Sequence, residues 1–185
     1  MLLYHYYEES VGPFRSISDL PDEEAEEVLM RIRTEKPDIF LAKRPDDYLE
    51  KRRRFEGILR DEFMKKGGLI ERDTPHYLVV EAVPFFEKWY ENPAYIKIDT
   101  ADLDVRTLSF TYGDSHPTFS GKIKDGKEYR NRLYTYDEIP DIIERYGLPQ
   151  IWNQDFKYGP ECYVEVQMWT DRGLEPYWGG LWDQV

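Results

Sequence analysis

Cysteine is almost absent. Cys162 is the only one in 185 residues, so no internal disulfide can form, and a reducing, cytoplasmic setting is expected. Long apolar runs are missing too: mean hydropathy is -0.73, and no stretch approaches the roughly 20 residues of a bilayer span. A membrane is therefore not an expected partner. The opening MLLYHYYEES has neither the basic segment nor the apolar stretch of a secretory leader. Basic charge is scarce, with 25 Lys and Arg against 37 Asp and Glu and a net charge of -12, which excludes duplex nucleic acid as a whole-surface partner. Walker A, GxGxxG, HExxH, CxxC and GxSxG motifs are all missing. So are internal repeats and Ser/Gly/Pro-rich linkers, and one domain spanning 1–185 is expected. His5, His76 and His116 are too scattered to suggest a zinc site, and no metal is expected.

What is present is enough for a core: 41% of residues are hydrophobic and 16% aromatic, well above what a disordered chain carries. The acidity is uneven, since residues 43–72 hold ten bases against seven acids while both flanks are acidic. Lys51, Arg52, Arg53 and Arg54 centre this block, either as a solvated helix face with i,i+4 partners or as a surface for phosphate or a partner. A helix opened by Pro21, capped by Ser18 or Asp19, should stop before Pro37. A second runs from Pro45 to Gly67, with Tyr48, Phe55, Leu59 and Phe63 on one stripe. Strands are expected at Leu2–Tyr7, His76–Glu81, Tyr95–Ile98, Leu108–Tyr112 and Tyr163–Trp169. Val83–Glu91 reads as a short helix, Lys122–Arg132 as a hairpin around Asp125-Gly126, and Asp137–Tyr146 as a helix closed by Gly147. The sum is an α+β fold, with a mixed or antiparallel sheet and two long helices in the N-terminal half.

Chemistry concentrates in two segments. In the last strand, alternation places Tyr163, Glu165, Gln167 and Trp169 on one face and Val164, Val166 and Met168 on the other. Glu165 either meets a cross-strand cation on a half-exposed sheet or stands in an aromatic-walled cleft, where it binds hydroxyls or stabilises positive charge. The other segment, Gly113-Asp114-Ser115-His116-Pro117, reads as a turn or loop, with His116 beside Asp114 as a candidate acid or base. Adjacent residues cannot form a Ser-His-Asp relay there. Cys162 reads as a buried inert thiol. The aromatic tail Pro176–Trp182 reads as a cover for the core or a partner contact.

Leu3-Tyr4-His5-Tyr6, Ser109-Phe110-Thr111-Tyr112 and Val164-Glu165-Val166-Gln167 together resemble three strands of the ADP-ribosyltransferase-like fold. The resemblance implies NAD as substrate and an NAD-dependent glycosyl transferase or glycohydrolase. It gives His5 the adenosine ribose, Tyr112 or Ser109 the nicotinamide side, and Glu165 the catalytic role at the nicotinamide ribose. Gln167 joins His5 and Ser109 as a cofactor-binding candidate, and His5 and Tyr112 join Glu165 as catalytic ones. Tyr6-Tyr7 stand where that family has a small Gly-Thr or Gly-Ser pair. The alternative expectation is a non-catalytic acidic binding protein that engages a basic partner, against a small nucleotide as the partner of the enzyme.

Overall fold

The computed structural model describes residues 1–178. In chain order the elements are β1 (Leu2–Glu8), α1 (Asp22–Glu35), α2 (Tyr48–Lys65), β2 (His76–Val80), β3 (Pro93–Asp99), β4 (Leu108–Tyr112), α3 (Ser115–Phe119), β5 (Tyr134–Thr135), α4 (Ile139–Tyr146), α5 (Pro149–Trp152) and β6 (Val164–Met168). The strands form one antiparallel sheet in the order β3-β1-β2-β6-β4-β5. The fold is α+β, and α1 and α2 are its longest helices, at 14 and 18 residues.

Strand register sorts the sheet into two unlike faces. Leu3, Val80, Leu78, Val166, Met168 and Phe110 point to one side and merge with Ile139 and Ile142 of α4 into the main apolar core. On the other side stand Tyr6, Val79, Glu165, Gln167 and Trp169. Leu59 and Phe63 of α2 pack on Trp169, whose side chain is completely buried. Helix α1 reaches the body through α2, because Ala25 and Leu29 pack on Leu49. Asp22, Glu23 and Glu24 lie in its first turn, where the helix dipole favours negative charge.

Three local expectations are corrected. Residues 122–132 form no hairpin. The Asp125 carboxylate accepts from Arg130 Nη2 at 2.7 Å, and Arg130 and Lys127 are both drawn to Glu161, which is fully buried. These tertiary ion pairs override the Asp-Gly turn signal. The Gly113–Pro117 stretch is more than a turn: the Asp114 side chain accepts from the His116 amide at 2.8 Å and starts α3. Pro117 fits because it falls in the first turn, where amides lack helical partners. Pro84–Trp89 is a 3-10 helix rather than an α-helix. Tyr177 and Trp178 pack against the main core, and the remaining tail residues 179–182 lie outside the described residues. Among the described residues, no helix is long and apolar enough to cross a membrane.

Candidate functional site

A cleft opens where β1 and β2 part. Pairing between them is confined to Leu3–Val80 and Tyr4–Val79, whereas β1 stays with β3 along its whole length. His5 spans the gap: its Nδ1 lies 2.8 Å from the Tyr77 carbonyl oxygen, and its Nε2 accepts the Phe14 amide at 2.9 Å. Because Nε2 accepts, the proton sits on Nδ1 and is donated to Tyr77. Phe14 stacks on the imidazole at 4.2 Å and adopts φ 57, a left-handed backbone that the His5 bond helps to hold. Burial lowers the His5 pKa to about 4, keeping the ring neutral.

The cleft encloses about 1560 Å³. Phe86, Tyr77 and Tyr163 wall one part, Phe40, Arg44 and Trp89 another, and Glu165, Asp114, Ser115 and His116 also face it. Gly113 makes the turn into this acidic corner possible. Its φ is +105, and an added Cβ would stand 3.2 Å from the Glu161 side chain.

Glu165 carries the unusual chemistry. Its Oε1 accepts from Gln167 Nε2 at 2.9 Å and from the Ser115 amide at 3.3 Å. Among the described residues its carboxyl has no cation partner. Burial, reinforced by the negative charge of Asp114, raises its pKa to about 8, against the opposing pull of Ser115 and Gln167. Near neutral pH Glu165 is a carboxylic acid, so its carboxyl can donate a proton. Asp114 is tied by the His116 amide and by the Tyr163 hydroxyl at 2.9 Å.

Behind Glu165 runs a relay of buried donors. Trp169 Nε1 donates to Ser109 Oγ at 2.9 Å, Ser109 Oγ donates to Gln167 Oε1 at 2.8 Å, and Gln167 donates to Glu165. Both Ser109 and Gln167 are completely buried, so they orient the acid and are not free to meet a ligand as cofactor-binding residues. Tyr112 lies on the opposite face, where its hydroxyl donates to the Gly147 carbonyl at 2.7 Å. Strand alternation puts His5 on the Leu3 side and Glu165 on the Val79 side. Of the five residues singled out from the sequence, Glu165 presents its carboxyl to the cleft, with Ser109 and Gln167 behind it. His5 also lines the cleft, where the Tyr77 carbonyl and the Phe14 amide engage both ring nitrogens, and Tyr112 does structural work away from it. Cys162 is buried and its pKa is pushed up to about 12, as suits an inert thiol.

Sequence reasoning missed a second buried polar group on the same wall. Arg52 Nε lies 3.0 Å from Glu56 Oε1, its Nη1 donates to the Tyr48 hydroxyl at 3.1 Å, and its guanidinium lies 4.8 Å from the Tyr77 ring centre. Burial raises the Glu56 pKa despite Arg52, Ser18 and Tyr77. The signal was available: Tyr48, Arg52 and Glu56 recur every four residues beside the Phe55 stripe, so part of the basic run had to turn inward. No group of His, Cys, Asp and Glu among the described residues is arranged to hold a metal. In comparisons with known proteins, no family model, no curated protein and no solved structure matches the chain.

Proposed function

We propose that the cleft takes a small organic ligand with a planar ring joined to a sugar, and that Glu165 is the acid that protonates the leaving group when the glycosidic bond breaks. The observation that carries this reading is the buried, cation-free carboxyl of Glu165, protonated near neutrality and facing an aromatic cleft. The proton passes from Glu165 to the departing ring, and the bond's electron pair leaves with it. Positive charge left on the sugar is stabilised by Asp114, and water or an acceptor hydroxyl then attacks that carbon and returns a proton to Glu165. The aromatic walls orient the ring by stacking. NAD remains one candidate ligand of this class. A cytoplasmic location goes with the reading, supported by the single buried thiol.

The test is incubation with NAD and a panel of nucleosides, scoring release of the free base. Wild type should release base at a rate that falls as pH rises through about 8, and Glu165→Gln should be inactive. An equal rate in the variant would overturn the role of Glu165. Infrared difference spectra should independently show a protonated carboxyl at neutral pH in wild type that is missing from the variant. The non-catalytic reading has one observation in its favour: Glu23, Glu24, Glu26 and Glu27 of α1 are all exposed. It predicts salt-sensitive capture of a basic protein partner that is unaffected by Glu165→Gln.

A further inference from the structure

Arg44 is held differently from four other cations near the cleft. Arg52 is neutralised by Glu56, Lys51 by Asp47, Arg33 by Asp46 at 3.2 Å and Lys36 by Glu91 at 2.8 Å. Among the described residues, no carboxylate pairs with the Arg44 guanidinium, and its Nε is buried without a hydrogen-bond partner. Three rings hold it instead, with the guanidinium carbon 4.4 Å from the Phe40 centroid, 5.0 Å from Tyr48 and 5.5 Å from Trp89. Phe40 and Trp89 stack on each other at 4.3 Å. Aromatic faces fix the position of a guanidinium and leave its charge uncompensated, so its planar fork of donors stays available to an oxyanion.

The charge of Arg44 is felt across the cleft. His116, facing the same cleft, has its pKa lowered by burial, with Arg44, Lys122 and Lys51 adding to the effect against Asp114. Arg44 and Glu165 both line this one cleft of about 1560 Å³.

We propose that the ligand of this cleft carries a phosphate group and that Arg44, held in its aromatic box, is the residue that binds it. This rests on the reading of the cleft as a ligand site, and it narrows the substrate class to phosphorylated glycosides such as nucleotides. Arg44 clasps the phosphate at one end while Glu165 acts on the glycosidic bond at the other.

Binding of adenosine and adenosine monophosphate, compared at constant ionic strength by Trp89 fluorescence and by the Arg44 Nε–H resonance, tests this. The phosphate should tighten binding about tenfold or more, the factor that a charge-assisted hydrogen bond carries. Arg44→Gln should remove that gain, and Arg44→Lys, which keeps charge without the fork, should restore part of it. Ribose 5-phosphate should shift the Arg44 signal saturably, whereas benzoate at equal concentration should shift it less. The proposal is overturned if the phosphate brings no gain, if the gain survives in a folded Arg44→Gln protein, or if benzoate matches the phosphate ester. Glu165→Gln is the separating control. It should keep the phosphate gain while losing base release, so a phosphate gain alongside unchanged release in that variant would sink the acid mechanism alone.

Discussion

Glu161 and Glu165 are four residues apart and both buried, yet their surroundings are opposite. Glu161 is compensated by Arg130 and Lys127, which lock residues 120–132 against the segment that leads into β6. Glu165 meets neutral donors and a nearby like charge, and it keeps its proton instead. A buried carboxyl must be paired or neutral, because desolvating an unpaired charge costs too much. The molecule uses the first solution where a loop has to be held and the second where a cleft opens. The two sheet faces differ in the same sense: around Val166 the packing is apolar, with His5 and His76 as buried exceptions, and the Glu165 face carries an oriented polar chain.

The largest expected effect breaks the apolar side. Phe110→Ala, at a position with no exposure, should cost about 3–5 kcal/mol in denaturant unfolding, through lost transfer energy and the cavity left behind. Next comes the paired acid. Arg130→Met together with Lys127→Met strands the Glu161 charge and should destabilise by about 3–5 kcal/mol near neutrality, whereas a change as small as that of an exposed pair would show that water reaches Glu161.

Glu165→Gln should do less at neutral pH, and its signature is the pH dependence. The folded pKa of Glu165 is raised from 4.5 to about 8, so the native state holds more protons than the unfolded chain between these values. Its contribution is fully present below pH 4.5 and is lost as pH rises through about 8. Wild type should therefore lose stability towards alkaline pH, while the Gln variant keeps a flatter profile. His5 runs the other way. With its pKa lowered from 6.5 to about 4, its contribution is present above pH 6.5 and is lost as pH falls towards about 4, and His76 adds to this acid-side loss for the same reason. The smallest effect belongs to the exposed Lys65–Glu62 pair of α2. Lys65→Ala should leave the midpoint of unfolding unchanged within error.

Much of the fold was legible because its signals are local. Strands β1, β2, β4 and β6 announced themselves by β-branched and aromatic runs, α1 by Pro21 and its acidic first turn, and α4 by the glycine that follows it, with φ 75 at Gly147. Strand β5, two residues long, and α5, four residues long, are too short to show a period, and the Asp125-Gly126 turn gave way to ion pairs with a residue far along the chain. Glu165 was visible as a carboxyl among aromatics on an alternating strand. Of its partners only Gln167 was placed on its face by the same alternation, since Ser115 and Asp114 meet it only when α3 and β6 come together.

The sequence by itself determined which residues alternate along β6, that Glu165 shares a face with Tyr163, Gln167 and Trp169, and that Cys162 would be alone. Those properties follow from backbone periods and composition, which need no distant neighbour. Only the tertiary structure decided that β1 leaves β2 after Tyr4, that His5 is consumed in bridging the gap, that Arg52 turns inward and that Arg44 lacks a carboxylate among the described residues. It also decided the protonation of Glu165, because a pKa is set by burial and by charges from residues that the chain brings close only on folding.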